Sequence, residues 1–169
     1  MLISNSSPLI HLTRLGKWKY VVHAFPSLTI PMAVRYETIE KGKEESYSDA
    51  LILEKLENEG WLKTVKLSHS STLKTAKELA VELGKGEAEA IALAAEKNER
   101  LIIDDHKGRQ IADYYGVETV TTLGLMLEML LDGALPREDY RKNIKNYSAQ
   151  GWISPDVVQE FLDRGEEIE

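Results

Sequence analysis

The chain has 169 residues, no cysteine and a formal net charge of −7. Its length suits one domain over residues 1–169, and the absence of cysteine excludes disulfides and thiolate-ligated zinc. The negative net charge argues against binding of nucleic acid over a broad basic surface. It is compatible with a few basic residues around an acidic site. No apolar run is long enough to span a bilayer and no signal-peptide pattern opens the chain. We therefore expect a cytoplasmic protein without a membrane partner.

Clear start and stop signals divide the first part of the chain. Ser7-Pro8 has the features of a helix N-cap and a first helical position, while Gly16 and Gly60 are typical helix ends. In chain order, the predicted elements are a strand at 2–3, a helix at 7–15, a strand at 28–30, a helix at 32–40, a polar loop at 41–48, a helix at 49–59 and a strand at 61–67.

The second part continues the alternation. The helix predicted at 87–97 is apolar on all sides, which is typical of a helix that lies deep in a protein. In order, the predictions are helices at 70–83 and 87–97, a strand at 101–103, a helix at 109–115, a strand at 117–120, helices at 122–131, 136–147 and 154–163, and a frayed tail at 164–169. The pattern favours one α/β domain with a mainly parallel sheet flanked by helices.

Acidic and amide side chains follow several of these strands or begin the helices beside them. Asn5 follows the first strand, Asp104 and Asp105 follow the strand at 101–103, Glu87 begins the most buried helix, and Glu37 lies in the helix after the second strand. Ligands bind at the carboxyl edge of open parallel sheets, so these groups have access to one corner. Crowded carboxylate and amide oxygens suit Mg²⁺ or Mn²⁺, and a bound divalent ion assists phosphodiester hydrolysis.

Each of these residues also has a simpler interpretation. Glu87 can complement the helix dipole, Asp104 or Asp105 can cap the following helix, and Asn5 can form a local turn. Glu37, taken alone, is best interpreted as a solvated charge. Only the joint placement of these residues favours a functional site.

Polar and basic residues near this corner are candidate phosphate contacts. The lysines can equally be solvated, and an arginine can pair with an acid. The candidates are Ser7, Arg35, Lys107 and Arg109, with Lys85 nearby.

A second basic group lies in the helix predicted at 136–147. It is either an accessory RNA contact, since aromatic rings stack on bases, or the solvated face of a helix. Its members are Arg137, Arg141, Lys142, Lys145, Tyr140 and Tyr147. The four histidines show no zinc-binding spacing, and His106 is first a solvated loop residue and second a phosphate contact.

Several segments, taken in order, resemble the PIN-domain nuclease superfamily. They are SNSSPLIHL, PMAVRYETI, GKGEAEAIALAAE, RLIIDDHKGRQIA, TVTTLGLMLEMLLDGAL and GWISPDVVQEFL. The combination of GEAEAIALA with IIDD and the following GR is the more specific part. The resemblance is closest to the predicted nucleic-acid-binding branch related to VapC toxins, of the DUF3368 type. It implies a three-layer α/β/α sandwich with a central, mainly parallel sheet.

The resemblance also implies a set of catalytic and metal-binding positions. The four acidic positions of the family fall on Asn5, Glu37, Glu87 and Asp104, with Asp105 beside the last, and Ser6 or Ser7 matches the supporting hydroxyl. Asn5 departs from the pattern, because an amide oxygen can ligate a metal but brings no charge. Weaker metal affinity and weaker activity are the expected result.

Two functions follow from the resemblance. The first is a Mg²⁺- or Mn²⁺-dependent endoribonuclease acting on RNA, with the option that it is the toxin partnered by an antitoxin protein. The second is a catalytically weakened module that binds RNA or a protein. PIN relatives commonly form homodimers, and Leu123–Leu131 is apolar enough for a subunit face, although a core helix explains it equally well.

Overall fold

The computed structural model describes residues 1–16, 18–150 and 153–167. These residues form a five-stranded sheet in which all pairings are parallel and the strand order is β3-β2-β1-β4-β5. The strands are β1 Leu2–Ser4, β2 Leu28–Pro31, β3 Leu62–Val65, β4 Arg100–Ile102 and β5 Thr119–Val120. The predicted α/β class with helices flanking a parallel sheet is confirmed.

Helices connect the strands, because parallel neighbours need a crossover. In the described residues they are α1 Ser6–Arg14, α2 Trp18–Ala24, α3 Met32–Arg35, α4 Lys41–Glu44, α5 Ser48–Asn58, α6 Ser70–Leu79, α7 Lys85–Lys97, α8 His106–Tyr114, α9 Thr122–Leu131, α10 Arg137–Ala149 and α11 Pro155–Glu166. A π-helical segment, Tyr36–Glu40, joins α3 to α4 without a break. No helix among the described residues is long and apolar enough to cross a membrane.

The core lies on both faces of the sheet. The three residues of β1 and the four residues of β2 are buried, so these strands are covered above and below. The prediction that the helix at 87–97 lies deep is confirmed, because α7 buries Ala88, Ala90, Ile91 and the next three residues. Alanines on α7 allow its backbone to pack closely against the neighbouring elements.

The strand order reverses direction between β1 and β4. From β1 the chain moves outward through β2 to β3, then crosses back to β4 on the other side of β1. In open parallel sheets such a reversal opens a crevice at the carboxyl ends of the two strands, where ligands bind. Ile3 pairs with Leu101 in this register, so the residues that follow β1 and β4 lie side by side.

Several predicted boundaries were wrong in the first part of the chain. Asn5, and not Ser7, occupies the N-cap of α1. Helix α2 was missed, and the predicted loop at 41–48 begins with helix α4. Gly42 does not end a helix; it is buried, and an added Cβ would lie 2.9 Å from the Cβ of Ala50.

Several boundaries also differ in the second part; α6 ends at Leu79 instead of residue 83, and α7 begins at Lys85 instead of Glu87. Helix α8 begins at His106 rather than Arg109, because Asp105 provides its cap. Helix α11 continues to Glu166, beyond the predicted end at Asp163. Residues 168–169 of the predicted tail lie outside the described residues, as do Gly151 and Trp152 of the GWISPDVVQEFL segment.

The apolar helix considered as a subunit face is α9. It buries Leu123, Leu125, Met126, Met129 and Leu130 within the chain itself. The core-helix interpretation therefore accounts for most of its apolar residues. A homodimer stays a prediction, and of the apolar residues of α9 only Leu131 is left largely exposed for it.

Candidate functional site

The crevice between β1 and β4 brings together residues that are far apart in sequence. Asn5 directly follows β1, and its backbone N–H donates to the carbonyl of Ile102 at 3.2 Å. Asp104 and Asp105 follow β4 by two and three positions. Asn5 and Asp104, the first and last of the predicted acidic positions, thus lie at the same edge of the sheet, as expected for residues that follow adjacent parallel strands.

Asn5 points its amide into this crevice and is almost fully buried, with 5% of its surface exposed. Its Nδ2 donates to Oε1 of Glu87 at 3.4 Å. Its Oδ1 is buried and has no hydrogen-bond partner among the described residues. A buried oxygen without a donor is costly, so this atom is suited to receive a ligand.

Glu37 enters the crevice from the π-helical segment. Its carboxylate accepts from the Ser6 hydroxyl and from the Gly86 backbone N–H, the latter at 2.9 Å. Ser6 therefore contacts the second of the predicted acidic positions and not Asn5, the first, whereas Ser7 is exposed. A Cβ on Gly86 would lie 2.3 Å from Oε2 of Glu37, so a glycine is needed where the carboxylate lies. π-Helical turns often occur at functional sites, and this one carries a predicted site residue.

Glu87 occupies the first turn of α7 and faces Asn5. Burial, followed by the nearby carboxylates of Asp105 and Glu37, raises the pKa of Glu87, and the Asn5 amide only partly offsets this. A Cβ on Gly108 would lie 2.7 Å from Oε1 of Glu87. The group therefore concentrates negative charge in a partly desolvated place, which a cation would relieve.

Asp105 belongs to this group and also caps α8. Its Oδ1 accepts from the Gly108 backbone N–H at 2.7 Å, and its charge contributes to the raised pKa of Glu87. We call Asn5, Glu37, Glu87 and Asp105 the acidic group.

The structure does not bring Asp104 into the acidic group. Its Oδ1 accepts from the Thr122 backbone N–H and its Oδ2 from the Thr122 hydroxyl, both at 2.7 Å. Its Oδ2 also lies 2.9 Å from Nδ1 of His11 and accepts from the Tyr147 hydroxyl at 3.1 Å. Burial alone would raise the pKa of Asp104, but the hydrogen bonds from His11 and Thr122 outweigh it and hold the pKa below its usual value. These contacts tie the Asp104 carboxylate to three other segments, and its predicted role as a metal ligand stays a prediction.

The predicted phosphate contacts differ in their environment. Arg35 forms ion pairs with Glu57, at 2.9 Å, and with Glu40, and Lys107 pairs with Glu82 at 3.2 Å. Arg109 donates to the backbone carbonyl of Asp104 at 3.3 Å and to no carboxylate among the described residues. Arg109 is therefore the cation of this set that is best placed for a ligand.

The second basic group does not combine cations with accessible rings. Tyr140 and Tyr147 are buried in the core, whereas Arg137, Arg141, Lys142 and Lys145 lie on the exposed face of α10. The Tyr140 hydroxyl donates to the carbonyl of Phe161 at 2.7 Å. Stacking of RNA bases on these two tyrosines is thus excluded, and the solvated-face interpretation fits. His106 is exposed, and its Nδ1 lies 3.4 Å from Nη2 of Arg109.

The donor chemistry of the acidic group fits a hard divalent cation. Carboxylate and amide oxygens are the ligands that Mg²⁺ and Mn²⁺ prefer, and the Asn5 Oδ1 has no other partner. Within the described ranges, however, no three acidic or histidine side chains already converge on one point. Glu37 and Asp105 are held by backbone N–H donors, so an ion would have to draw these carboxylates towards Asn5 and Glu87.

Sequence reasoning missed the residues that shape this site without carrying its charge. Gly86 and Gly108 leave the space that the carboxylates of Glu37 and Glu87 fill. Both glycines lie in the first turns of α7 and α8, which the predicted helices at 87–97 and 109–115 left out, so their cost inside a helix gave no signal. The partners of Asp104 come from remote segments and gave no local signal either.

A comparison with family models identifies the family. Residues 1–167 match DUF3368, described as a PIN domain. Because this match covers nearly the whole chain, the protein belongs to that PIN-domain family. PIN domains are typically nucleases and often bind divalent metals. A comparison with curated proteins gave no match.

Proposed function

We propose that the protein is a divalent-metal-dependent endoribonuclease that hydrolyses phosphodiester bonds of single-stranded RNA. The observation that carries the proposal is that Asn5, Glu37, Glu87 and Asp105 are neighbours in the crevice between β1 and β4, where the strand order reverses. The PIN-domain family supports it independently. A homodimer and an antitoxin partner stay predictions from the sequence resemblance.

The residues divide into roles by their contacts. Asn5 and Glu87, with Glu37 and Asp105 after a side-chain turn, would hold Mg²⁺ or Mn²⁺. A bound ion would supply the positive charge that activates water and stabilises the phosphodiester transition state. Glu37 is oriented by Ser6 and Gly86 and can accept a hydrogen bond from a water molecule in the crevice. Arg109 can donate to a phosphate oxygen.

The test is cleavage of a mixed pool of single-stranded RNA with Mg²⁺, Mn²⁺ or EDTA. We expect cleavage with either ion, and we expect Glu87→Gln and Asp105→Asn to abolish it. Glu59→Gln is the matched control, since Glu59 is exposed at the end of α5, away from the crevice. Asp104→Asn is a poor test, because Asp104 contributes to the packing of several elements. Full cleavage by both site variants would reject the proposed site.

One observation favours a second candidate, a weakened module that binds RNA or a protein. The Asn5 amide already donates to Glu87, and backbone donors satisfy Glu37 and Asp105 without an ion. For this candidate, calorimetry would detect no heat from Mn²⁺, while RNA binding would persist in EDTA. Metal-dependent cleavage would exclude it.

A further inference from the structure

A cavity of about 370 Å³ is lined in part by Asp104, the residue that precedes Asp105 of the acidic group. Asp104 and Arg109 line it on one side, and Val157, Glu160 and Phe161 of α11 line it on the other. Asp105 acts on the charge of Glu87 and Asp104 lines the cavity, so consecutive residues of one backbone segment connect the acidic group to the cavity. The volume lies within the range of small-molecule sites.

Arg109 supplies hydrogen-bond donors to this cavity. Its Nη1 donates to the Asp104 carbonyl, and no carboxylate of the described residues lies within ion-pairing distance of its guanidinium. A guanidinium offers five N–H donors in a planar fork, so Arg109 keeps several for a ligand. Arg109 thus lines the cavity while it contacts the backbone of Asp104, the residue before Asp105.

Glu160 supplies acceptors from the opposite side. It pairs through Oε1 with Arg164 at 2.7 Å, and an ionised carboxylate has further acceptor sites on both oxygens. Arg164 also lies 5.5 Å from the centroid of the Phe161 ring, which fixes that part of α11. Between the two polar groups the wall is apolar, formed by the half-buried side chains of Val157 and Phe161.

This combination does not favour an anion. Asp104 and Glu160 contribute two carboxylates to the lining, while Arg109 and the Arg164 that pairs with Glu160 contribute two cations, so the cavity has no excess of positive charge that would select a phosphate. A neutral, flat ligand with acceptors on one edge and N–H donors on another fits the lining better. Single-stranded RNA offers such groups as unstacked bases, which proteins recognise by stacking and by their hydrogen-bonding edges.

We propose that this cavity binds an unpaired nucleobase, with a preference for guanine, of the RNA strand whose backbone enters the acidic group. Guanine presents O6 and N7 as acceptors, which arginine contacts in pairs, and its N1–H and N2–H groups complement Glu160. Adenine lacks the N1–H donor, and the pyrimidines lack N7. This inference rests on the proposed function, because that proposal supplies RNA as the substrate.

The test measures binding without any need for cleavage. The four 5′-nucleoside monophosphates and inorganic phosphate are titrated by calorimetry into the full chain in EDTA. We expect 5′-GMP to bind most tightly and inorganic phosphate not to bind. Val157→Trp, which fills the cavity, should weaken 5′-GMP binding by about tenfold or more. Val81→Trp is the matched control, because Val81 is 85% exposed and lies outside the cavity lining.

Glu160→Gln provides a second variant that keeps the volume of the cavity. Glu160 is exposed, so this change should leave folding intact while it removes the preference for 5′-GMP over 5′-AMP. Binding of 5′-GMP no tighter than that of inorganic phosphate, or unchanged in Val157→Trp, would overturn the inference. The two proposals fail separately. RNA cleavage without 5′-GMP binding would reject only the proposal of a base-binding cavity. Specific 5′-GMP binding without cleavage would reject only the proposal of a nuclease.

Discussion

At the scale of single residues, Asn5 decides how much charge the acidic group carries. An aspartate in its place would put a further carboxylate beside Glu87, whose pKa is already raised by burial and by its acidic neighbours. The amide instead donates a hydrogen bond to Glu87. Asparagine at position 5 thus lowers the repulsion on the Glu87 carboxylate in the metal-free protein. It also lowers the attraction of the acidic group for a cation.

Asn5→Asp tests this balance. We expect Mn²⁺ affinity, measured by calorimetry, to rise by about tenfold, because a formal charge replaces an amide at the same position. Without metal the variant should melt at a lower temperature, since the new carboxylate faces Glu87. Asn58→Asp, at the exposed end of α5, is the control and should change neither quantity. Unchanged affinity in Asn5→Asp would show that the other oxygens are not arranged for an ion.

Glu87 leads to a prediction about pH. Its pKa is raised in the folded chain, so the folded state holds this proton more tightly than the unfolded state, in which the pKa is near 4.5. The protonated carboxyl therefore stabilises the metal-free fold at low pH. That contribution is lost as the pH rises from about 4.5 through the folded-state pKa.

Glu87→Gln removes this dependence. At pH 7 the metal-free variant should melt about 2 °C higher than the parent chain, because it lacks the partly buried charge but keeps an acceptor for Asn5. Thermal melting between pH 4 and pH 8 provides the measurement. A lower melting temperature at pH 7 would contradict the assignment of Glu87 as a repelled carboxylate.

At the scale of elements, the entry to α7 joins local structure to the site. Gly86 lies in the helix, where alanine would ordinarily be more favourable. An added Cβ would approach the flexible end of Glu37, at 2.3 Å from Oε2, and not a rigid backbone atom. The side chain can move away, so the effect should fall on the site and not on the fold.

Gly86→Ala should therefore separate stability from function. We expect its melting temperature to be equal to or above that of the parent, while Mn²⁺ affinity falls about tenfold because Glu37 is displaced. Gly84→Ala is the control, since nothing lies within 4 Å of a Cβ at Gly84. Melting curves and Mn²⁺ titrations of both variants give the two readouts. Loss of stability in Gly86→Ala with intact metal binding would contradict the prediction.

Most elements could be predicted from sequence because each has its own local signal. The hydrophobic pattern identified the strands at Leu28 and Leu101 and the buried helix α7. The π-helical turn at Tyr36–Glu40 could not be predicted, because its wider hydrogen bonding follows from packing and not from residue preference. Helix α2 has Trp18, Val21 and Val22 at helical spacing, so its local apolar pattern was present but was missed because the helix is only seven residues long.

At the scale of the whole molecule, Asp104 joins parts of the chain that are remote in sequence. Its carboxylate contacts His11 of α1, Thr122 of α9 and Tyr147 of α10, just after β4. Tyr147 stays protonated, because burial and then the Asp104 charge raise its pKa. Sequence could place Asp104 at the sheet edge. It could not distinguish Asp104 from Asp105, because the partners that separate their roles lie up to 93 residues away.

Asp104→Asn should therefore destabilise the protein by about 2–3 kcal/mol, as expected for loss of charge-assisted hydrogen bonds at a side chain that is only 19% exposed. The depressed pKa means that this stabilisation is present above the unfolded value of 3.8 and is lost as the pH falls below it. Urea unfolding at pH 7 and pH 3 measures both effects. Asp113→Asn, on the exposed side of α8, is the control. Equal stability of the two variants at pH 7 would contradict this role.

The contact between Asp104 and Tyr147 has a consequence for synthesis of the protein. The carboxylate that anchors the end of β4 finds one of its donors on a helix that leaves the ribosome long after the residues of the acidic group. A nascent chain that stops before α10 contains every oxygen of the crevice but not this donor. Such a chain holds Asp104 through His11 and Thr122 alone, so we expect the end of β4 to gain its full set of hydrogen bonds only after α10 has packed.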